Sequence, residues 1–387
     1  MSSPIGRLID GRLLLDAGPS EAGFSRLAAF KRCPQMYAYK HLLGLELEDA
    51  APLIKGSLIH VGLAHIYKRF ALSAQGGNSG PGPASYHDWP DAVRLLAEDF
   101  ERGAPGRPRR EALKWVPLVQ QTLAHYLAAH GHETPQVLLV EEQIRVGLRW
   151  AAGSRRVAEV RLLERGQSVQ DPPGSGAPSA LGARGAPGAS PWRLYTQRLD
   201  LVTEAKGANG ALILEVVDHK STSYLKAGHD GTAETYSMHG QFWGAELLAR
   251  LRFPNHPVVR VYANLVEWPK ERRGDAPGSK PGQLQRARIT PAPWMLSSFW
   301  EDVLDWYDQR DQLVAETTGQ GEGPGGFSRD LPSRARDAWS WPKAGLDTAC
   351  RTFYGPCAYR ELCRHGKSRL ARLELEMGFR VPEKEKG

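Results

Sequence analysis

The chain has 387 residues, 41% of them hydrophobic and 24% charged, with a formal net charge of +7. That length suits one large domain or two to three average ones with a packed core, and the basic surplus points to an anionic partner, nucleic acid before membrane. No run of about 18 uncharged apolar residues exists to cross a membrane, and no basic-then-apolar leader opens the chain, so the cytosol is the expected compartment.

The first 130 residues read as helical. Ser25, with Phe24 before it, is expected to cap a short helix. Cys33-Pro34 ends that helix and starts another, "PQMYAYKHLLGL", with Pro34 at its first position. "GSLIHVGLAHIYKRFAL", from Gly56 to Leu72, is apolar nearly all round and predicts a buried helix. Asp91 to Glu101 and Lys114 to His130 predict two more. The stretches "AQGGNSGPGPAS" (74–85) and "GQSVQDPPGSGAPSALGARGAPGASP" (166–191) are rich in Gly, Pro and Ser and read as loops, the second as disordered.

Four strand-like runs follow: "QVLLVEEQIRVGL", "RVAEVRLLE", "WRLYTQRLDLVTE" and "ALILEVV". The last two are joined by "AKGANG", a hairpin signal. Ala233 to Leu251 reads as a helix, "PVVRVYANLVEW" and "LQRARIT" as strands, and residues 291–316 as a long helix. Helices, a mostly antiparallel strand group, a helix, more strands and a helix make an α/β or α+β chain around one central mixed sheet. No internal repeat divides it.

The chemistry gathers at the end of one strand. In "LILEVVDHKST", Asp218 and Lys220 share a face and His219 takes the other. The preceding strand carries Asp200. Two carboxylates and a lysine on neighbouring strands can hold a hard divalent cation, magnesium or manganese, beside a phosphodiester. Lys220 would orient the attacking water or offset the charge that builds on phosphorus. An ordinary strand-end ion pair is the plainer alternative. The hairpin decides between them. A two-residue turn at Asn209-Gly210 would set Asp200 against His219, whereas a three-residue loop over Ala208 to Gly210 would set it opposite Asp218. His60, in the buried helix, is either a satisfied core histidine or a further metal ligand. Gln241 opens the apolar stretch "QFWGAELL", where an exposed helix surface is the plain reading.

The four cysteines are Cys33, Cys350, Cys357 and Cys363. In a reducing cytosol a disulfide framework is not expected. Four thiols are the number that fills a zinc site or a [4Fe–4S] cluster.

Taken in order, "FSRLAAFKRCPQMYAYKHLLGL", "GSLIH", "RLDLV", "VVDHKS", "QFWGAELL" and "CRTFYGPCAYRELC" resemble the RecB-type branch of the PD-(D/E)XK nucleases. That branch includes AddB-like and CRISPR-associated adaptation nucleases and phage recombination exonucleases. The resemblance implies a restriction-endonuclease-like core, with a helical part at 24–130, core sheet and helices at 136–315 and a cysteine segment at 345–366, all in one nuclease domain. It implies a metal-binding role for His60, Asp200, Asp218 and the carbonyl of His219, and a catalytic role for Asp200, Asp218, Lys220 and Gln241. The tyrosine of the family's Q-x-x-x-Y helix is replaced here by Ala245. Cys33, Cys350, Cys357 and Cys363 correspond to iron–sulfur ligands, with zinc as the alternative, since the first gap of the C-terminal set is wider than in relatives. The expected activity is a magnesium- or manganese-dependent DNA exonuclease acting on single strands or DNA ends, in recombination, repair or processing, in a bacterial cell or encoded by a phage. A helicase or recombination protein is the expected partner, since the chain carries no G-x-x-x-x-G-K-[ST] motif. Lys31, Arg32, Lys68 and Arg69 are candidate phosphate contacts. The alternative reading is a DNA- or helicase-binding module of the same fold with weak or lost cleavage.

Overall fold

The computed structural model describes residues 6–9, 12–15, 22–42, 51–74, 88–102, 111–131, 133, 135–154, 157–164, 167–169, 190–222, 225, 236–271, 279–318, 351–352, 355–357, 359 and 363. Cys350 and most of the two predicted loops lie outside the described residues. The chain divides into two compact units, one of residues 1–20, 49–144 and 197–297 and the other of 21–48, 145–196 and 298–387.

The first unit opens with a hairpin, β1 (Gly6–Ile9) and β2 (Arg12–Leu15), that the sequence reading passes over although Asp10-Gly11 stands between its strands. Three helices follow: α3 (Ala51–Ala74), α4 (Trp89–Arg102) and α5 (Val116–His130). The all-round apolar character of α3 is matched by its burial, with Leu58, Ile59, Val61 and Leu63 each 0% exposed. Gly62 lets α3 and α5 approach closely, since a Cβ there would meet Leu123 Cδ1 at 2.3 Å.

The second unit holds α1 (Phe24–Arg32) and α2 (Pro34–Tyr37), with a π-turn over Ala38–Leu42. The N-cap of α1 is Gly23, which makes no side-chain capping bond, so Ser25 lies within the first turn and not at the cap. Phe24 explains the earlier start: it is buried against Phe299 and Trp306, and helical backbone from Phe24 onward seats it there. Cys33 is extended between the helices, as a residue before proline must be. The long helix α7 (Pro293–Thr318) belongs mostly to this unit.

His41, in the π-turn, is held down to about 3 by burial and then by the charges of Arg26 and Lys40. The unfolded ring titrates near its ordinary 6.5. Between those two values the unfolded chain takes up a proton that the folded chain refuses. The contribution is therefore intact above pH 6.5 and is lost on acidification at about 1.4 kcal/mol per pH unit. Melting temperature should fall as pH drops from 6.5 toward 4, and His41→Gln should flatten that fall in thermal melts.

Six strands form the main sheet: β3 (Gln136–Trp150), β4 (Ala158–Leu163), β5 (Arg193–Lys206), β6 (Leu212–Thr222), β7 (Val258–Glu267) and β10 (Leu284–Ile289), in the order β10-β7-β6-β5-β3-β4. Two small pairs, β8 (Lys270–Glu271) with β9 (Ser279–Lys280) and β11 (Arg351–Thr352) with β12 (Gly355–Pro356), stand apart from it. The pairs β10–β7, β5–β6 and β3–β4 are antiparallel. β6 and β7 are parallel, with helix α6 (Gly240–Arg252) as the crossover that a parallel pair needs. This is the mixed sheet with flanking helices expected from the sequence.

The β5–β6 hairpin takes the odd alternative. Gly207 N–H donates to Ala211 O at 2.8 Å, leaving Ala208, Asn209 and Gly210 as a three-residue loop. Gly210 has φ 78°, the left-handed conformation such loops require. The register runs from Lys206↔Leu212 to Leu201↔Val217, which brings Asp200 level with Asp218.

Candidate metal centre

The β5–β6 ladder stops at Leu201↔Val217. One residue further, the backbone N–H of His219 donates to Asp200 Oδ2 at 2.8 Å. The side chain thus takes the donor that the β5 backbone, beyond the end of the ladder, does not. α3 brings His60 to this point, its Nδ1 3.5 Å from Asp200 Oδ2 and 3.8 Å from Glu141 Oε1. One ligand atom from each of His60, Glu141 and Asp200 lies within 4.8 Å of the other two.

Asp218 sits beside this trio with its own partners. Lys220 Nζ is 2.6 Å from Asp218 Oδ2, and Gln241 Nε2 donates to Asp218 Oδ1 at 2.6 Å. Gln241 Oε1 in turn accepts from Lys220 Nζ at 3.3 Å, and the Gln241 carbonyl accepts from Gln197 Nε2 at 2.7 Å. The first turn of α6 therefore clamps Asp218 and Lys220 as a pair. The face that strand alternation gives His219 is equally fixed. Its ring stacks on Tyr67 at 5.7 Å and meets His60 edge-on at 6.1 Å. The parallel register sets His219 opposite Asn264, whose amide nitrogen lies 2.8 Å from His219 Nδ1 and donates to Tyr126 Oη at 3.1 Å.

The centre is crowded with negative charge in a buried place. Burial, and then the neighbouring Asp218, push Asp200 up to about 7. Burial likewise raises Glu141. Burial alone would lower His60, but Asp200 and Glu141 outweigh it and lift the ring to about 9. Burial also works against the Lys220 ammonium, and Asp218 and Asp200 more than restore it. His219 is held well below its ordinary value by burial and then by His60, which keeps its ring neutral. Carboxylates crowded in a buried place repel one another, and a bound cation would offset that repulsion. The donors, carboxylate oxygens with one imidazole nitrogen, suit a divalent ion.

The sequence-predicted residues fall into two linked groups, His60 with Asp200, and Asp218 with Lys220 and Gln241. Glu141 went unnoticed. Its one sequence signal is the doublet Glu141-Glu142 inside an otherwise apolar strand, where alternation lets only one of the two face water. Ala245 is buried at 3% exposure, so no phenol stands at that position, but Tyr236 is among the groups that sustain the Lys220 charge.

In the second unit, Cys33 is buried, Cys357 and Cys363 are half-buried, and none of the three forms a disulfide. Tyr39 is raised above the ordinary phenol value by burial, then by Cys363 and finally by Cys33. Both thiols therefore lie near one phenol, which packs against Tyr359 at 5.7 Å. Of the candidate phosphate contacts, Lys31, Arg32 and Arg69 are exposed and Lys68 is half-buried. Lys31 lies over the Trp306 ring at 5.6 Å, and Arg69 pairs with Asp88 at 3.3 Å.

No curated protein matches the chain. The sequence model of the PD-(D/E)XK nuclease superfamily matches residues 22–364, a span that contains His60, Asp200, Asp218, Lys220, Gln241 and all four cysteines. Enzymes of that superfamily are nucleases that use divalent metals on a mixed sheet with flanking helices, and a match over nearly the whole chain means that this protein belongs to the PD-(D/E)XK nuclease superfamily.

Proposed function

We propose that the protein is a metal-dependent deoxyribonuclease of the RecB-type branch, an exonuclease that works from DNA ends in recombination, repair or processing. The observation that carries this reading is the junction of a ligand pair, His60 with Asp200, and a clamped Asp218–Lys220–Gln241 group at one parting of strands. His60, Asp200, Asp218 and the carbonyl of His219 hold a magnesium or manganese ion. That ion supplies Lewis acidity and neutralises charge on the phosphate. Lys220, held by Asp218 and Gln241, orients the attacking water and meets the charge that develops on the phosphoryl oxygens. Exposed Lys31, Arg32 and Arg69 are proposed to take DNA phosphates. The chain is read as one nuclease domain, which the family match over residues 22–364 supports. Cys33, Cys350, Cys357 and Cys363 hold a structural [4Fe–4S] cluster, for which zinc is the alternative.

Digestion of end-labelled linear and circular DNA with magnesium, manganese or EDTA tests the activity. Metal-dependent release of nucleotides from linear DNA alone is expected. Cutting of circles would make the enzyme an endonuclease. DNA binding in calcium without cleavage under any metal would reduce the chain to a binding module. Within this scheme His60→Ala should shift the metal requirement more than the melting temperature. A variant that melts much earlier but keeps the wild-type metal titration would make His60 a core residue.

A further inference from the structure

We infer that Lys55 is a DNA-phosphate contact, seated between Trp115 and Trp268 so that it takes the phosphate next to the one at the metal centre. This rests on the proposed reading of that centre as a deoxyribonuclease site. Lys55 is half-buried, and its Nζ lies 4.7 Å from the centre of the Trp115 ring and 4.8 Å from that of Trp268. The two rings come from different elements: Trp115 immediately precedes α5, and Trp268 immediately follows β7. Indole faces attract an ammonium without neutralising it. Burial works against the Lys55 charge, and no carboxylate restores it among the described residues. The other half-buried lysines among them differ: Lys220 has Asp218 at 2.6 Å, and Glu142 supports Lys68. Lys114 also lies over Trp115, at 5.5 Å, but it is exposed and paired with Glu111. Lys55 is thus a cation held in place by two rings and left without an anion.

Its position follows from α3 and β6 together. On α3, Gly56 stands one turn before His60 on the same face, and a Cβ at Gly56 would meet Ser221 Oγ at 3.3 Å. On β6, His219 and Ser221 share a face, and the His219 ring meets His60 edge-on at 6.1 Å. The helix therefore runs along the strand, with His60 beside His219 and Gly56 beside Ser221. Lys55 precedes Gly56, and the Trp268 N–H donates at 2.9 Å to the carbonyl of Thr222, where β6 ends. The helix from Lys55 to His60 rises about 7.5 Å, and the strand from His219 to Ser221 advances about 7 Å. The sugar link between successive phosphates of one strand spans about that distance. A strand with its scissile phosphate at the metal centre can therefore bring the neighbouring phosphate to Lys55.

The test is binding of the full chain to a short DNA in calcium over a range of salt concentrations, beside melting curves and Mn²⁺ binding without DNA. Lys55→Met keeps an apolar stem between the indoles and removes the charge. It should bind DNA about tenfold more weakly at low salt, and its salt slope should shrink by about 0.7–0.9, the share of one phosphate. Its Mn²⁺ affinity should match wild type, and Lys55→Arg should keep the wild-type slope. Two further DNAs carry a neutral methylphosphonate in place of the phosphate on one side or the other of the first bond cut. Wild type should bind one of them more weakly, and Lys55→Met should lose nothing more on that DNA, because both changes delete the same contact. Additive losses on both DNAs, or wild-type affinity and slope in Lys55→Met, overturn the assignment and leave the proposed function standing. Melting of Lys55→Met far below wild type marks the cage as a structural staple and also overturns it. Failure of wild type to bind any DNA counts against the deoxyribonuclease reading itself.

Discussion

Asp200→Ala, Asp218→Ala and Lys220→Ala are each expected to slow metal-dependent DNA cleavage by about 10²–10³-fold or more. Each removes a different part of the centre. Asp200→Ala takes away a ligand and also the acceptor of the His219 N–H. Asp218→Ala removes the partner that fixes both Lys220 and Gln241. Lys220→Ala removes the ammonium proposed to meet charge on the phosphate and leaves Asp218 its bond from Gln241. DNA binding should persist in all three, because phosphate contacts come from separate basic side chains. Single-turnover cleavage of end-labelled DNA, with circular dichroism to confirm folding, measures the effect. Cleavage at the wild-type rate in any one of them would remove that residue from the mechanism.

Cys33→Ala and Cys363→Ala should fail alike. Cys33 leads out of α1 near the start of the chain and Cys363 lies near its end, yet both lie near Tyr39. A cluster bound by both closes most of the chain into a ring. Such closure restricts the unfolded chain and is worth several kcal/mol, on the order of a long-loop disulfide. Protein purified without oxygen should be brown, with about four irons per chain for a [4Fe–4S] cluster. Either variant should lose the colour and expose the C-terminal segment to protease at the same rate. A colourless protein that holds zinc would change the metal and keep the staple. Unchanged metal content and protease resistance in Cys33→Ala would refute both forms.

Much of this fold is legible in the sequence because the periodicities are strong. The all-round apolar run from Gly56 to Leu72 lies within α3, and the strand-like run at 192–204 lies in β5 from Arg193 onward. Asp200, Asp218 and Lys220 draw notice because charged residues set within apolar strand runs are conspicuous. Glu141 does not. β3 is irregular at Glu141, at φ 47°, and buries the adjacent Val140 as well, so alternation along the strand does not single Glu141 out. Ser25 misleads for a similar reason: capping preference is local, and the burial of Phe24 overrides it. The hairpin is open in the sequence between two loop lengths. Asn209-Gly210 has the composition of a two-residue turn, but the chain closes one residue wider, and only the wider closure brings Asp200 level with Asp218.

That loop carries a burden its exposed position conceals. A strand with one wet face and one dry face guards its own alignment, since a slip of one residue would drown its apolar side chains. β6 has no such guard. Ile213, Leu214, Val216 and Val217 are all at most 5% exposed, so both of its faces are dry and a slipped strand would find apolar surroundings on either side. Alignment of β6 against β5 is therefore dictated from the tip, by the span of Ala208 to Gly210. A Cβ on Gly210 would meet nothing within 4 Å, so the tip is open to side chains of any size that tolerate its φ. Its identity is cheap to change and its length is not. Three residues at the surface, in contact with neither carboxylate, act as the gauge that sets two halves of a buried centre against each other.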